Sequence, residues 1–227
     1  MTAAGLPIHA VIFDYDGTLV HLNIDFGSMR QGVEELLIDY GIEPHSLKGS
    51  YVLEMINEAT DRIATKASPE GSAFHHKALE LVTEYEVKAA KNGKKLPGML
   101  GMLRLLRERG IKIGVITRNC DKAVKMVFPD IERYSDVYLP RDYVTNVKPH
   151  LDHLALALEE MGVRDPAICL MVGDHLMDIE GGKRMGMKTA GVLTGKITHQ
   201  EFIEAGADYI LEDVTVVTGI IFGEEVS

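Results

Sequence analysis

Tryptophan is absent from this 227-residue chain, and cysteine occurs only twice, at Cys120 and Cys169. Two thiols so far apart match no metal-ligand spacing and supply no disulfide framework. They are expected to be small buried or half-buried residues in a reducing compartment. Aromatic residues are sparse, with six Phe and eight Tyr, and a formal charge of −10 comes without any basic run. That balance leaves no footprint for nucleic-acid phosphates or an anionic membrane surface, so an anionic substrate would need locally placed positive charge. No apolar stretch approaches the ~18 residues that suggest a membrane span, and no basic region precedes a long apolar stretch at the N-terminus. A cytoplasmic protein is expected. What the chain does have is core-forming material: 46% hydrophobic and 26% charged residues, the composition of a globular protein of one or two domains.

From about residue 96 onward, short apolar runs alternate with helical patterns. The stretch MLGMLRLLRERG has apolar residues at 99, 100, 102, 103, 105 and 106, sets Arg104 and Arg107 opposite, and stops at Gly110. The strand IKIGVIT follows. Then come a helix at DKAVKMVF, a strand DVYL, a helix LDHLALALEEMG and a strand AICLMVG. A helix LMDIEGGKRMG, a strand KTAGVL, a helix near HQEFIEAG and a last strand ADYIL complete the series. With HAVIFD as first strand, this order predicts an α/β fold: a doubly wound parallel sheet with right-handed crossovers and helices on both faces. Residues 22–95 break the rhythm. They offer no convincing strand, but carry the helical stretches FGSMRQGVEELLIDYG, YVLEMINEATDRIATK and SAFHHKALELVTEYEVKAAKNG. The expected organisation is a core of residues 1–21 and 96–227 with a helical insertion at 22–95. The insertion leaves from the carboxyl end of the first strand, where open α/β sheets bind ligands.

The first strand runs AVIF into D-Y-D-G-T. Alternate strand residues face one way, so Asp14 and Asp16 are expected to lie close together, which raises one pKa or calls for a cation. Gly17 permits a tight turn and Thr18 adds a hydroxyl. A calcium loop starting at Asp14 fails, because Leu19 stands at its glycine position and Asp25 at its bidentate glutamate position. GVLTGKIT at 191–198 is one residue too short for a phosphate-binding glycine loop and has Ile197 after its lysine. Three more polar clusters fall at predicted strand ends: Thr117 in VITRN, Lys148 in NVKPH, and Asp174 and Asp178 in MVGDHLMD. Taken singly, Thr117 reads equally as a helix cap, Lys148 as a solvated loop charge, and either aspartate as a capping residue.

In this order, however, D-Y-D-G-T, T, K-P and G-D-x-x-x-D resemble the four motifs of the haloacid dehalogenase superfamily, over residues 10–21 and 96–211. The helical insertion resembles the cap of its phosphoglycolate phosphatase and β-phosphoglucomutase branch. Members with a second aspartate in the first motif are largely phosphatases or phosphomutases, so Asp16 points to phosphoryl transfer. The resemblance implies that Asp14 is a nucleophile forming an aspartyl-phosphate, and that Asp16 is first the acid and then the base. It implies Mg²⁺ held by Asp14, the Asp16 backbone carbonyl, Asp174 and Asp178. Lys148 would offset charge on Asp14 and the phosphate, and Thr117 with nearby N–H groups would bind phosphate oxygens.

Arg118 stands where the family often has Asn or another small polar residue; its N–H still serves, and its guanidinium is offered to substrate. His21, His150 and His175 are read as polar loop histidines. In the insertion, LKGSY at 47–51 loosely resembles the branch's substrate-contacting loop, which makes Lys48 a candidate contact. The arginine a mutase would want after it is absent, with Val52 and Leu53 instead, so hydrolysis of a small phosphorylated metabolite is favoured over a phosphomutase. A response-regulator receiver, the non-enzymatic rival, carries its paired acids on the first strand and its phosphorylated Asp on the third, within about half this length. A catalytically silent metal-binding scaffold is disfavoured by four intact motifs.

Overall fold

The computed structural model describes residues 7–49, 51–64 and 70–223. Ser50, within LKGSY, and residues 65 and 66, at the end of the second helical stretch of the insertion, lie outside them. The chain divides into two compact units, Met1–Leu22 with Gly93–Ser227, and Asn23–Asn92. In the first, β1 (Ala10–Phe13) is followed by β2 (Val20–His21), which pairs antiparallel with β3 (Lys94–Lys95). That pairing corrects the expectation of no strand in 22–95. Two lysines after Asn-Gly have neither alternation nor β-propensity, and only the return of the chain beside Val20 makes them a strand.

The second unit is helical: α1 (Phe26–Asp39), α2 (Val52–Ala64) and α3 (Glu70–Ala90). α3 packs on both of the others. Met29, Val33 and Leu37 of α1, Ile56 and Ala59 of α2, and Phe74, Ala78 and Val82 of α3 are buried at helical spacing. Asp25 caps α1 by accepting the Ser28 N–H at 2.9 Å.

The first unit carries the sheet. β1 is joined by β4 (Lys112–Ile116), β5 (Val137–Leu139), β6 (Cys169–Gly173), β7 (Lys188–Val192) and β8 (Tyr209–Leu211). All pairs are parallel, in the order β5-β4-β1-β6-β7-β8. Strands covered on both faces read as continuous apolar runs rather than alternating ones, and every residue of β1 is 0% exposed. The connecting helices are α4 (Met99–Glu108), α5 (Asp121–Val127), α6 (Leu151–Glu160), α7 (Leu176–Arg184) and α8 (His199–Ala205). α4 buries Met99, Met102, Leu103 and Leu106 and leaves Arg104 and Arg107 exposed. A last helix, α9 (Val217–Phe222), had no counterpart among the expected elements. Both cysteines are buried.

Register decides where the polar residues emerge. Phe13 lies opposite Val115 on one side and Val172 on the other, and Ile116 lies opposite Leu139. The Asp14 N–H then donates to Val172 O at 2.9 Å, and the Thr117 N–H to Leu139 O at 3.1 Å. Asp14, Thr117, Pro140 and Asp174 therefore step off neighbouring strands along one edge of the sheet.

Candidate active site

The turn after β1 is built by its backbone. Leu19 and Val20 donate to Tyr15 O at 2.8 and 3.0 Å, and Gly17 donates to Val20 O at 2.8 Å. Gly17 has φ +85°, and a Cβ there would stand 2.1 Å from Asp174 Oδ2, so only glycine fits the turn and lets Asp174 approach. The Thr194 hydroxyl donates to Gly17 O from the far side. Asp16 turns its Oδ1 to the Leu22 N–H at 2.7 Å. Burial pushes its carboxyl up to about 7; the Leu22 N–H opposes the shift and the Asp14 charge adds to it.

Asp14 is buried, and so is Lys148, at 4% exposure. The Lys148 ammonium donates to Asp14 Oδ1 and, at 2.7 Å, to Asp178 Oδ1. Burial works against the charge on Lys148, but Asp14 and Asp178 outweigh it and hold the ammonium above its ordinary range. Asp178 is pushed up to about 6, by burial against the pull of Lys148, with the Asp14 charge adding to the rise. Asp174 rises further, to about 9, through burial and then through the charges of Asp14 and Asp178.

Oxygens of Asp14, Asp174 and Asp178 all lie within 4.8 Å of one another. Asp178 Oδ2 is buried and has no hydrogen-bond partner. An orphaned buried oxygen beside two more carboxylates fits a hard divalent cation, whose preferred ligands are oxygens. Asp16 does not join this cluster with its carboxylate.

Two further glycines clear space for the acids. A Cβ on Gly195 would lie 2.2 Å from Asp174 Oδ2, and one on Gly173 would lie 2.2 Å from Asp178 Oδ2 and 2.6 Å from Asp178 Cβ. Gly173→Ala should therefore push Asp178 and the start of α7 away from β6. Overpacking of this kind costs about 1–3 kcal/mol, and thermal unfolding should begin several degrees lower, at ~2–4 °C per kcal/mol. An unchanged melting temperature would show that α7 yields without cost.

The remaining candidates are placed as follows. Thr117 is buried, and its hydroxyl accepts the Asn119 N–H at 3.1 Å. Arg118 does not send its whole guanidinium outward: Nη1 donates to the carbonyl of Lys148. His150 and His175 cap α6 and α7, accepting the Asp152 and Met177 N–H groups at 3.3 and 3.2 Å. His21 is exposed on β2. Lys48 belongs to the helical unit, where its N–H donates to Glu58 Oε2 at 2.7 Å and the residue is exposed. Two residues escaped the sequence reading. Arg141 is buried, donates to Arg118 O at 2.9 Å, and gives its own N–H to Asn119 O at 3.1 Å. His153 is buried beside Lys148, and a histidine within the apolar pattern of α6 was the only available signal.

The sequence model of the haloacid dehalogenase-like hydrolases matches residues 11–192. A pyrophosphatase PpaX from Bacillus pumilus is 28% identical, over 94% of this chain and 96% of that protein. An N-acetylmuramic acid 6-phosphate phosphatase from Pseudomonas putida is 30% identical, over 91% of this chain and 93% of the other. The fold is similar to that of a HAD phosphatase from Thermococcus onnurineus, with a TM-score of 0.62 and 24% identity over 96% of this chain and 100% of that one.

Proposed function

Because this chain belongs to the haloacid dehalogenase-like hydrolases, we propose that it is a Mg²⁺-dependent phosphatase acting on a small phosphomonoester through an aspartyl-phosphate at Asp14. The observation that carries the reading is the buried Lys148 ammonium, bridging Asp14 and Asp178 beside a third carboxylate, Asp174. A phosphoryl group in transfer spreads charge over its equatorial oxygens, so positioning and neutralisation do most of the work.

In the first step an Asp14 carboxylate oxygen bonds to phosphorus, the ester P–O bond breaks, and Asp16 gives its proton to the departing oxygen. In the second, water attacks the same phosphorus while Asp16 takes its proton, and the Asp14–phosphate bond breaks to release phosphate. A carboxyl held at about 7 suits both roles near neutral pH. Lys148 holds one Asp14 oxygen in place and offsets its charge, while the Thr117 loop supplies N–H groups to phosphate oxygens. Asp14, Asp174, Asp178 and the Asp16 carbonyl would hold Mg²⁺, which when bound neutralises charge on the acids and the phosphate. No helix among the described residues is long and apolar enough to cross a membrane, and two small buried thiols suit a reducing compartment such as the cytoplasm.

A panel of phosphorylated metabolites, with p-nitrophenyl phosphate as generic control, tests the reading. The names of the relatives put N-acetylmuramic acid 6-phosphate and pyrophosphate on that panel. With Mg²⁺ present, p-nitrophenyl phosphate should be hydrolysed slowly and one monoester far faster, by roughly 10² or more in kcat/KM, the advantage expected when binding energy from the rest of the substrate is used. Phosphate release from none of the esters would overturn the proposal, and a preference for pyrophosphate would move the substrate to an anhydride.

A further inference from the structure

We infer that His153 is a positioning residue: from the first turn of α6, with its ring oriented by Leu139 O at the end of β5, its Nδ1 holds the Lys148 N–H and so sets where the ammonium meets Asp14. The inference rests on the reading above, in which Lys148 serves phosphoryl transfer.

His153 is 0% exposed, and both ring nitrogens are engaged. Nδ1 accepts the Lys148 N–H at 3.1 Å, and Nε2 lies 3.0 Å from Leu139 O. A carbonyl can only accept, so Nε2 carries the proton and Nδ1 is bare; the neutral ring in this one tautomer satisfies both neighbours. Leu139 O also receives the Thr117 N–H, so the imidazole ties the lysine loop to the strand end from which the Thr117 loop departs. The other polar group of the Lys148 backbone is held too, its carbonyl by Arg118 Nη1.

Lys148 is thus fixed on both sides of its Cα by one side chain from α6 and one from the loop between β4 and α5. Its loop has no ladder of its own there, and a four-carbon stem follows the Cα that carries it. Burial keeps the imidazole neutral, with its pKa pushed down to about 4; the positive charges of Lys148 and Arg118 act in the same direction, while the Leu139 carbonyl and the Asp14 charge oppose it. The acceptor on Nδ1 is therefore present throughout the neutral range.

Asparagine and glutamine separate the two bonds. Asn carries an acceptor near the position of Nδ1 but does not reach Leu139, whereas Gln reaches Leu139 with its amide and leaves the Lys148 N–H without a partner. In the full chain with Mg²⁺ and p-nitrophenyl phosphate, His153→Gln should lower kcat about tenfold or more with KM nearly unchanged, because a misplacement of about 1 Å near the chemistry can cost up to ~10². His153→Asn should lose less than about threefold.

Hydrogen exchange at the Lys148 amide should accelerate in the Gln variant and stay slow in the Asn variant, a split that a merely space-filling role would not produce. Equal kcat values in the two variants, or unchanged Lys148 exchange in His153→Gln, would overturn the inference. If His153→Gln does not fold, long-range ¹H–¹⁵N spectra of the wild-type imidazole decide: a protonated Nε2 with a bare Nδ1 supports the clamp, and the opposite tautomer refutes it. Wild-type protein inert toward every ester would sink the phosphatase reading, and Lys148 exchange would still judge the clamp.

Discussion

Asp14→Asn should lower turnover of any ester by at least about three orders of magnitude, ~4 kcal/mol in the barrier, while the protein remains folded. The amide has the shape of the carboxylate but lacks the negative oxygen that bonds to phosphorus in the proposed mechanism. Folding should survive because the substitution relieves as much as it removes. Lys148 loses one carboxylate partner but keeps Asp178 at 2.7 Å, and the crowding that Asp14 imposes on Asp174 and Asp178 falls away. Thermal melting should therefore move little while phosphate release collapses. Retention of more than about a tenth of the wild-type rate, a difference of less than ~1.4 kcal/mol, would exclude Asp14 as a covalent nucleophile.

The sheet was legible because a parallel strand buried on both faces leaves a plain signature. AVIF, CLMVG and, after its lysine, KTAGV are runs of apolar or small residues, and each is a strand of the sheet. The helical stretches of residues 26–41 and 72–93 were equally plain, since each repeats its apolar residues at helical spacing and ends near a glycine. Residues at strand ends could be singled out for the same reason: in a parallel sheet all carboxyl ends lie on one edge, so Asp14, Thr117 and Asp174 had to emerge as neighbours.

What stayed hidden depends on contacts remote in sequence. Lys94 and Lys95 form a strand only because Val20 and His21 run beside them. The direction of the Arg118 guanidinium is decided by the carbonyl of Lys148, and the Asp16 carboxylate is drawn away from the acidic cluster by the Leu22 N–H. His153 was overlooked because it sits next to Leu154 in a helix whose face is otherwise Leu154, Ala157, Leu158 and Met161, all buried against the sheet. Only the cluster of residues around Leu139 O turns it from a core histidine into a tether.

Removing divalent metal should abolish activity, and adding Mg²⁺ back should restore it. Asp14, Asp174 and Asp178 bring three carboxylates within 4.8 Å, and Lys148 forms ion pairs with two of them, Asp14 and Asp178. A phosphate dianion entering this cluster meets net negative charge unless a cation enters with it. Asp178 Oδ2 is buried and accepts no protein hydrogen bond, so no protein donor would compete with a cation for it. Ca²⁺ should substitute poorly, because it prefers ligands at ~2.3–2.6 Å and six to eight of them, whereas Mg²⁺ takes six at ~2.0–2.1 Å and matches a small, tight group of acids.

Binding should also be visible without turnover. A ligand present at 100 times its Kd stabilises the folded state by about 2.7 kcal/mol, which for a chain of this length corresponds to a rise of roughly 5–10 °C in melting temperature. Asp174→Asn removes one of the three carboxyl groups and should flatten that Mg²⁺-dependent rise as well as the rate. Full activity in excess chelator would refute a metal-dependent mechanism. A Mg²⁺-dependent rise undiminished in Asp174→Asn would place the ion elsewhere on the protein.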